Sequence, residues 1–157
     1  MAREPLVIRG YVEVEVTRPD GSTARAAGSN AVVDGGRQLV AKLLTGEAQS
    51  PTFAITAGVS DKETVSDLTK LFDPDGLEPV TVTDVKIKDG VITLRGSFPK
   101  AERERLIKEA GLLLTCKVGE EEVTTLYNRA LVKPQQSVRA KEVLTLTWQL
   151  SFAPQGT

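Results

Sequence analysis

The 157-residue sequence contains no histidine and a single cysteine, Cys116. Those two absences exclude Ser-His-Asp and Cys-His nucleophilic machinery, histidine general bases, intrachain disulfides and every His/Cys zinc site. Aromatic residues make up only 4 % of the chain, too few to line a large apolar pocket, so no small-molecule substrate and no cofactor are expected. Neither sign of charge dominates: 20 basic residues face 21 acidic ones, for a net charge of −1. No overall field therefore draws the chain toward nucleic acid or anionic lipid. No apolar run approaches the roughly eighteen residues that a bilayer span requires. Residues 1–5 lead directly into a strand-like segment without the apolar stretch of a signal peptide, so synthesis in the cytoplasm without export is expected. The chain also lacks an N-glycosylation sequon, since Asn30 precedes Ala31-Val32 and Asn128 precedes Arg129-Ala130.

What the chain has in quantity is β-branched side chains. Valine, isoleucine and threonine supply 39 of 157 residues, and such side chains suit a pleated surface. Val12, Val14 and Val16 alternate with Glu13, Glu15 and Thr17, the pattern of a half-buried strand. Arg18-Pro19-Asp20-Gly21 is a turn signal, so a hairpin over 6–27 is expected. A second hairpin is expected over 80–98, around the favoured two-residue turn Asp89-Gly90. The C-terminal part, 111–152, reads as three further strands. In the last of them Leu144, Leu146, Trp148 and Leu150 share one face, which places Trp148 in the core.

Helical periodicity is rare. Leu39, Val40, Leu43 and Leu44 fall on one face of a helix over about 35–44, with Asp34 available as a cap and Gly46 as a stop. The charged stretch 101–109, with Glu104 and Lys108 four apart, predicts a second short helix. Between them, 60–79 reads as a long polar excursion containing one helical turn, with an amphipathic core at Val65, Leu68, Leu71 and Phe72. The whole chain, 1–157, is expected to form one mainly β (α+β) domain, an antiparallel β-sandwich of about seven strands with one or two short helices.

Candidate chemistry is sparse. Asp73, Asp75 and Glu78 around Gly76 match only the first part of a calcium loop, and ordinary turn chemistry explains them better, so no metal is expected. Gly35-Gly36 could offer amides to an anion, but no phosphate-loop pattern surrounds the pair, and close packing of a helix start accounts for it. Lys133, Arg139 and Lys141 form a basic cluster without an aromatic platform, which is a solvated loop rather than a nucleic-acid site. Cys116 follows the apolar run Leu112-Leu113-Leu114-Thr115 and is expected to be a small buried hydrophobe. No catalytic residue is assigned.

Four segments in order resemble a loosely defined group of small structural proteins from tailed bacteriophages. The first is Asn30-Ala31-Val32-Val33-Asp34-Gly35-Gly36-Arg37-Gln38-Leu39-Val40-Ala41, and the second is Ile55-Thr56-Ala57-Gly58. The third, Lys108-Glu109-Ala110-Gly111-Leu112, is similar to a motif of tail-collar fibre proteins. The fourth joins Leu126-Tyr127-Asn128-Arg129-Ala130-Leu131-Val132-Lys133-Pro134 to Leu144-Thr145-Leu146-Thr147-Trp148-Gln149-Leu150-Ser151-Phe152. Together they span roughly 6–153. The resemblance implies a non-enzymatic virion protein, tail-, baseplate- or fibre-associated, whose partners are other virion proteins and further copies of itself, a trimer being favoured. A capsid decoration protein is the alternative, and a cellular β-sandwich module binding sugar or peptide is the second. The motif residues Glu109, Gly111, Arg129 and Trp148 are expected to be structural, with the Glu109 carboxylate accepting backbone N–H groups or pairing with Arg129.

Overall fold

The computed structural model describes residues 9–152, the side chain of Asn30 excepted. Strand β1, Arg9–Thr17, buries Val12, Val14 and Val16 and turns its glutamates outward. It turns through Arg18 and Gly21 into β2, Thr23–Val32, and the two pair in register from Tyr11↔Ser29 to Thr17↔Thr23. This is the expected N-terminal hairpin; positions 6–8 of it lie outside the described residues. Helix α1, Asp34–Leu44, follows as expected and buries Leu39. Its N-cap is Val33 rather than Asp34, whose carboxylate instead pairs with Arg37 one turn on. Gly46, at φ 77°, ends it.

The remaining strands are β3, Ala48–Gly58; β4, Val80–Thr81; β5, Asp84–Lys88; β6, Val91–Ser97; β7, Arg105–Val118; β8, Glu121–Val138; and β9, Val143–Ser151. Asp89 and Gly90 both adopt positive φ between β5 and β6, as a type I′ turn requires. Two expectations are corrected here. Stretch 101–109 forms no helix: β7 begins at Arg105 and pairs with the far end of β8, Arg105↔Val138 and Ile107↔Gln136. Leu106 is exposed while Ile107 enters the main core, and past an irregularity in the ladder Glu109 is buried on the other face, so pairing with a long neighbour overrides the local i,i+4 charge pattern. The excursion 60–79 likewise holds no helical turn, and α1 is the single helix among the described residues.

The mainly β, antiparallel class holds, but the strands are not stacked as two layers. Among the described residues nine strands form one sheet in the order β4-β3-β7-β8-β2-β1-β9-β6-β5, every neighbouring pair antiparallel. Its two edge strands, β4 and β5, are separated in the chain by Val82 and Thr83 alone. A flat sheet of this width would hold its edges roughly 38 Å apart, at about 4.8 Å per strand. Two linking residues reach only about 11 Å. The sheet must therefore curl into a half-barrel, which carries Ile55 of β3 and Val82 across to Gly96 of β6. Trp148, Leu94, Leu146, Leu150, Ile55, Leu112 and Leu114 fill the concave side. Leu39 joins that core from α1, which lies against β3 and β8, and Leu43 is partly buried beside it. Gly36 allows this approach: a Cβ there would stand 2.7 Å from the Tyr127 backbone.

Candidate functional site

One region of the convex side of the sheet is covered by the described residues. The excursion between β3 and β4 folds back over β3, β7 and β8, and a small cluster of Val33, Leu71 and Leu126 forms beneath it. Gly111 makes room, since a Cβ there would lie 2.9 Å from both Leu71 and Thr56 side-chain carbons. Arg129 stands opposite Gly111 across the β7–β8 ladder, and Glu109 lies two residues before the glycine on the same face. Three residues of the third and fourth motifs thus meet at one place.

Glu109 and Arg129 are both fully buried, and Arg129 Nε donates to Glu109 Oε1 at 2.9 Å. The carboxylate also accepts backbone N–H groups from Ser60 at 3.1 Å, Phe72 at 3.1 Å and Asp73 at 3.0 Å. Each carboxylate oxygen therefore accepts two bonds, which fills the four lone-pair positions of the group. Arg129 Nη1 donates to the Lys62 carbonyl at 2.7 Å and to Thr64 Oγ1 at 2.9 Å, and Nη2 to the Ser60 carbonyl at 3.3 Å. The Phe72 ring caps the guanidinium, its centroid 4.8 Å from Cζ. Taking two charges out of water costs several kcal/mol per ion, and only a complete set of bonds offsets it. Here the set is complete on the carboxylate, and the bonds go to the backbone of the excursion. The pair is a staple.

Trp148 is placed elsewhere. It is fully buried on the concave side, between Val12 of β1 and Leu94 of β6, and its Nε1 has no hydrogen-bond partner among the described residues. Asn128 is also buried, with neither amide atom partnered among the described residues. Cys116 is 1 % exposed, and burial pushes its thiol pKa upward, away from reactivity. Burial likewise raises the Tyr127 phenol to about 12. Lys133, Arg139 and Lys141 are exposed.

A second clamp was not foreseen from the sequence. Arg103 Nη1 bonds the Asp75 carboxylate at 2.8 Å, and both Arg103 and Arg105 donate to the Asp75 carbonyl. The Arg103 hydrogen bond holds the Asp75 pKa below its ordinary value. Asp73 accepts the Asp75 N–H, an Asx turn, so both aspartates of the calcium-like stretch serve the loop's own geometry. Among the described residues no group of three or more candidate ligands could hold a metal ion. The signal available beforehand was Phe72-Asp73, an aromatic and a turn former inside a polar run; neither reveals which strand lies below.

One open groove of about 550 Å³ borders the staple, lined in part by Tyr11, Ser29, Glu63, Thr64 and Lys133. Its lining carries Glu63, Lys133 and the stapled Arg129, with the hydroxyls of Tyr11, Ser29 and Thr64 nearby. No family model, curated protein or solved structure matches the chain.

Proposed function

We propose that this chain is a non-enzymatic structural protein of tailed-bacteriophage virions, associated with the tail, baseplate or fibres, and that it works in contact with further copies of itself and with other virion proteins. The observation that carries the reading is the convergence of Glu109, Gly111 and Arg129 from two of the phage-like motifs into one staple. A motif residue used to bond backbone is what an assembly part needs, because a loop held by directional bonds presents a constant surface to its neighbours. The tilt toward tail or fibre rests on the tail-collar-like segment around Glu109-Ala110-Gly111.

Imaging of purified phage particles carrying a labelled copy of the protein tests the reading. A handful of copies at the tail supports it. Hundreds of copies over the head would establish capsid decoration instead, and label absent from particles would overturn both.

A further inference from the structure

Strand β5 is an edge of the sheet, and all five of its residues are exposed. Val85 and Ile87 pair across β6 with Leu94 and Ile92, so they extend the concave apolar face beyond the core, at 47 % and 74 % exposure. The hydrogen-bond phase of this edge follows from the ladder. Phe152 N–H donates to the Gly90 carbonyl and Phe98 N–H to the Leu144 carbonyl, so the even-numbered residues of β6 point their backbone groups at β9. Its odd-numbered residues then bond Asp84, Lys86 and Lys88 of β5. The N–H and C=O groups of Val85 and Ile87 are left pointing outward, with no strand beside them among the described residues.

We propose that β5 is a self-association edge, pairing antiparallel with β5 of a second copy about a two-fold axis through Lys86. This deepens the self-assembly part of the reading above, on which it rests for the partner being another copy. In that register Val85 faces Ile87 of the second copy and Ile87 faces its Val85, so all four outward groups on each strand are bonded. The same alignment joins the exposed apolar side chains and sets each Asp84 opposite a Lys88 of the other copy. Lysines on an edge strand deter indiscriminate pairing. Here only the central Lys86 meets its own kind. An isologous pair of this sort closes at two copies, so a trimer would need a second surface.

The test is the mass of the full-length protein by light scattering across the micromolar range. The wild type is expected at twice the chain mass. Ile87→Pro removes an outward N–H without touching a bond to β6, and is expected to return the protein to the monomer mass with its circular dichroism unchanged. Lys86→Cys should cross-link to itself on mild oxidation, because facing Cα atoms at a non-hydrogen-bonded pair lie about 4.5 Å apart, within disulfide reach. Cys116 is buried and does not compete. Lys86→Thr removes the like-charge contact and should lower the dissociation constant several-fold. A wild type that stays monomeric overturns the proposal, as does a dimer that survives Ile87→Pro. Removal of residues 1–8 that turns a monomer into a dimer would assign the edge to the chain's own N-terminus, and also overturns it. Virions without the protein would sink the phage reading and leave the pairing intact.

Discussion

Two buried regions hold this molecule together by different means. On the concave side, Trp148 sits among aliphatic side chains and is stabilised by non-directional burial. On the convex side, Glu109 and Arg129 are equally buried, but each is held by bonds of fixed direction to particular backbone atoms. The core tolerates a change that conserves volume; the staple tolerates no missing partner. The core therefore determines whether the sheet forms, and the staple determines where one loop lies upon it.

The sharpest way to break the staple is Glu109→Ala, expected to cost about 5 kcal/mol, the upper end for removing one member of a buried pair. It strands the Arg129 charge and three N–H groups. A double variant, Glu109→Gln with Arg129→Met, should recover part of that loss, which a double-mutant cycle in urea measures. Trp148→Ala should cost roughly 3–5 kcal/mol through lost burial and a large cavity. The two differ in kind as well as size. In the staple variant, amide exchange should accelerate at Phe72 and Asp73 before the sheet opens, whereas Trp148→Ala should accelerate exchange across the whole sheet. Equal acceleration everywhere in both variants would erase the distinction.

Gly111→Ala sharpens the comparison from the packing side. The added methyl meets Leu71, Thr56 and Leu126, and should cost about 1–3 kcal/mol by thermal unfolding, again felt first in the excursion. The smallest effect concerns pH. Asp75 is lowered in the folded state by the Arg103 hydrogen bond. Its contribution is present above the unfolded value near about pH 4, and is lost as pH falls through the lower folded value. Asp75→Asn should flatten that acid limb of the stability curve, and added salt should shrink the difference because the group is exposed. An unchanged acid limb would show that the Asp75 clamp contributes nothing to stability.

The staple was legible in part. The expectation that the Glu109 carboxylate accepts backbone N–H groups or pairs with Arg129 matches the contacts, which include both, although Glu109 itself was placed at the end of a helix. Phe72 over the guanidinium and the Arg103–Asp75 clamp were not legible, because both join a loop to strands far along the chain. The misassigned helix over 101–109 has the same origin: its charges carry a helical spacing, while the partner that makes it a strand, the end of β8, lies about thirty residues away.

Local order came from the sequence alone: the valine alternation of β1, the Asp89-Gly90 turn, the helix face at Leu39 and the inward side of Trp148 all follow from period and turn chemistry within a few residues. The curl of the sheet was decided only in three dimensions. Nothing in the residues near Val82 and Thr83 announces that β4 and β5 are opposite edges of nine strands. Only the long-range pairing order does so, and a two-residue link then forces the sheet to curl. Periodicity is a property of neighbours in the chain, whereas curvature is set by which distant strands compete for the same backbone hydrogen bonds.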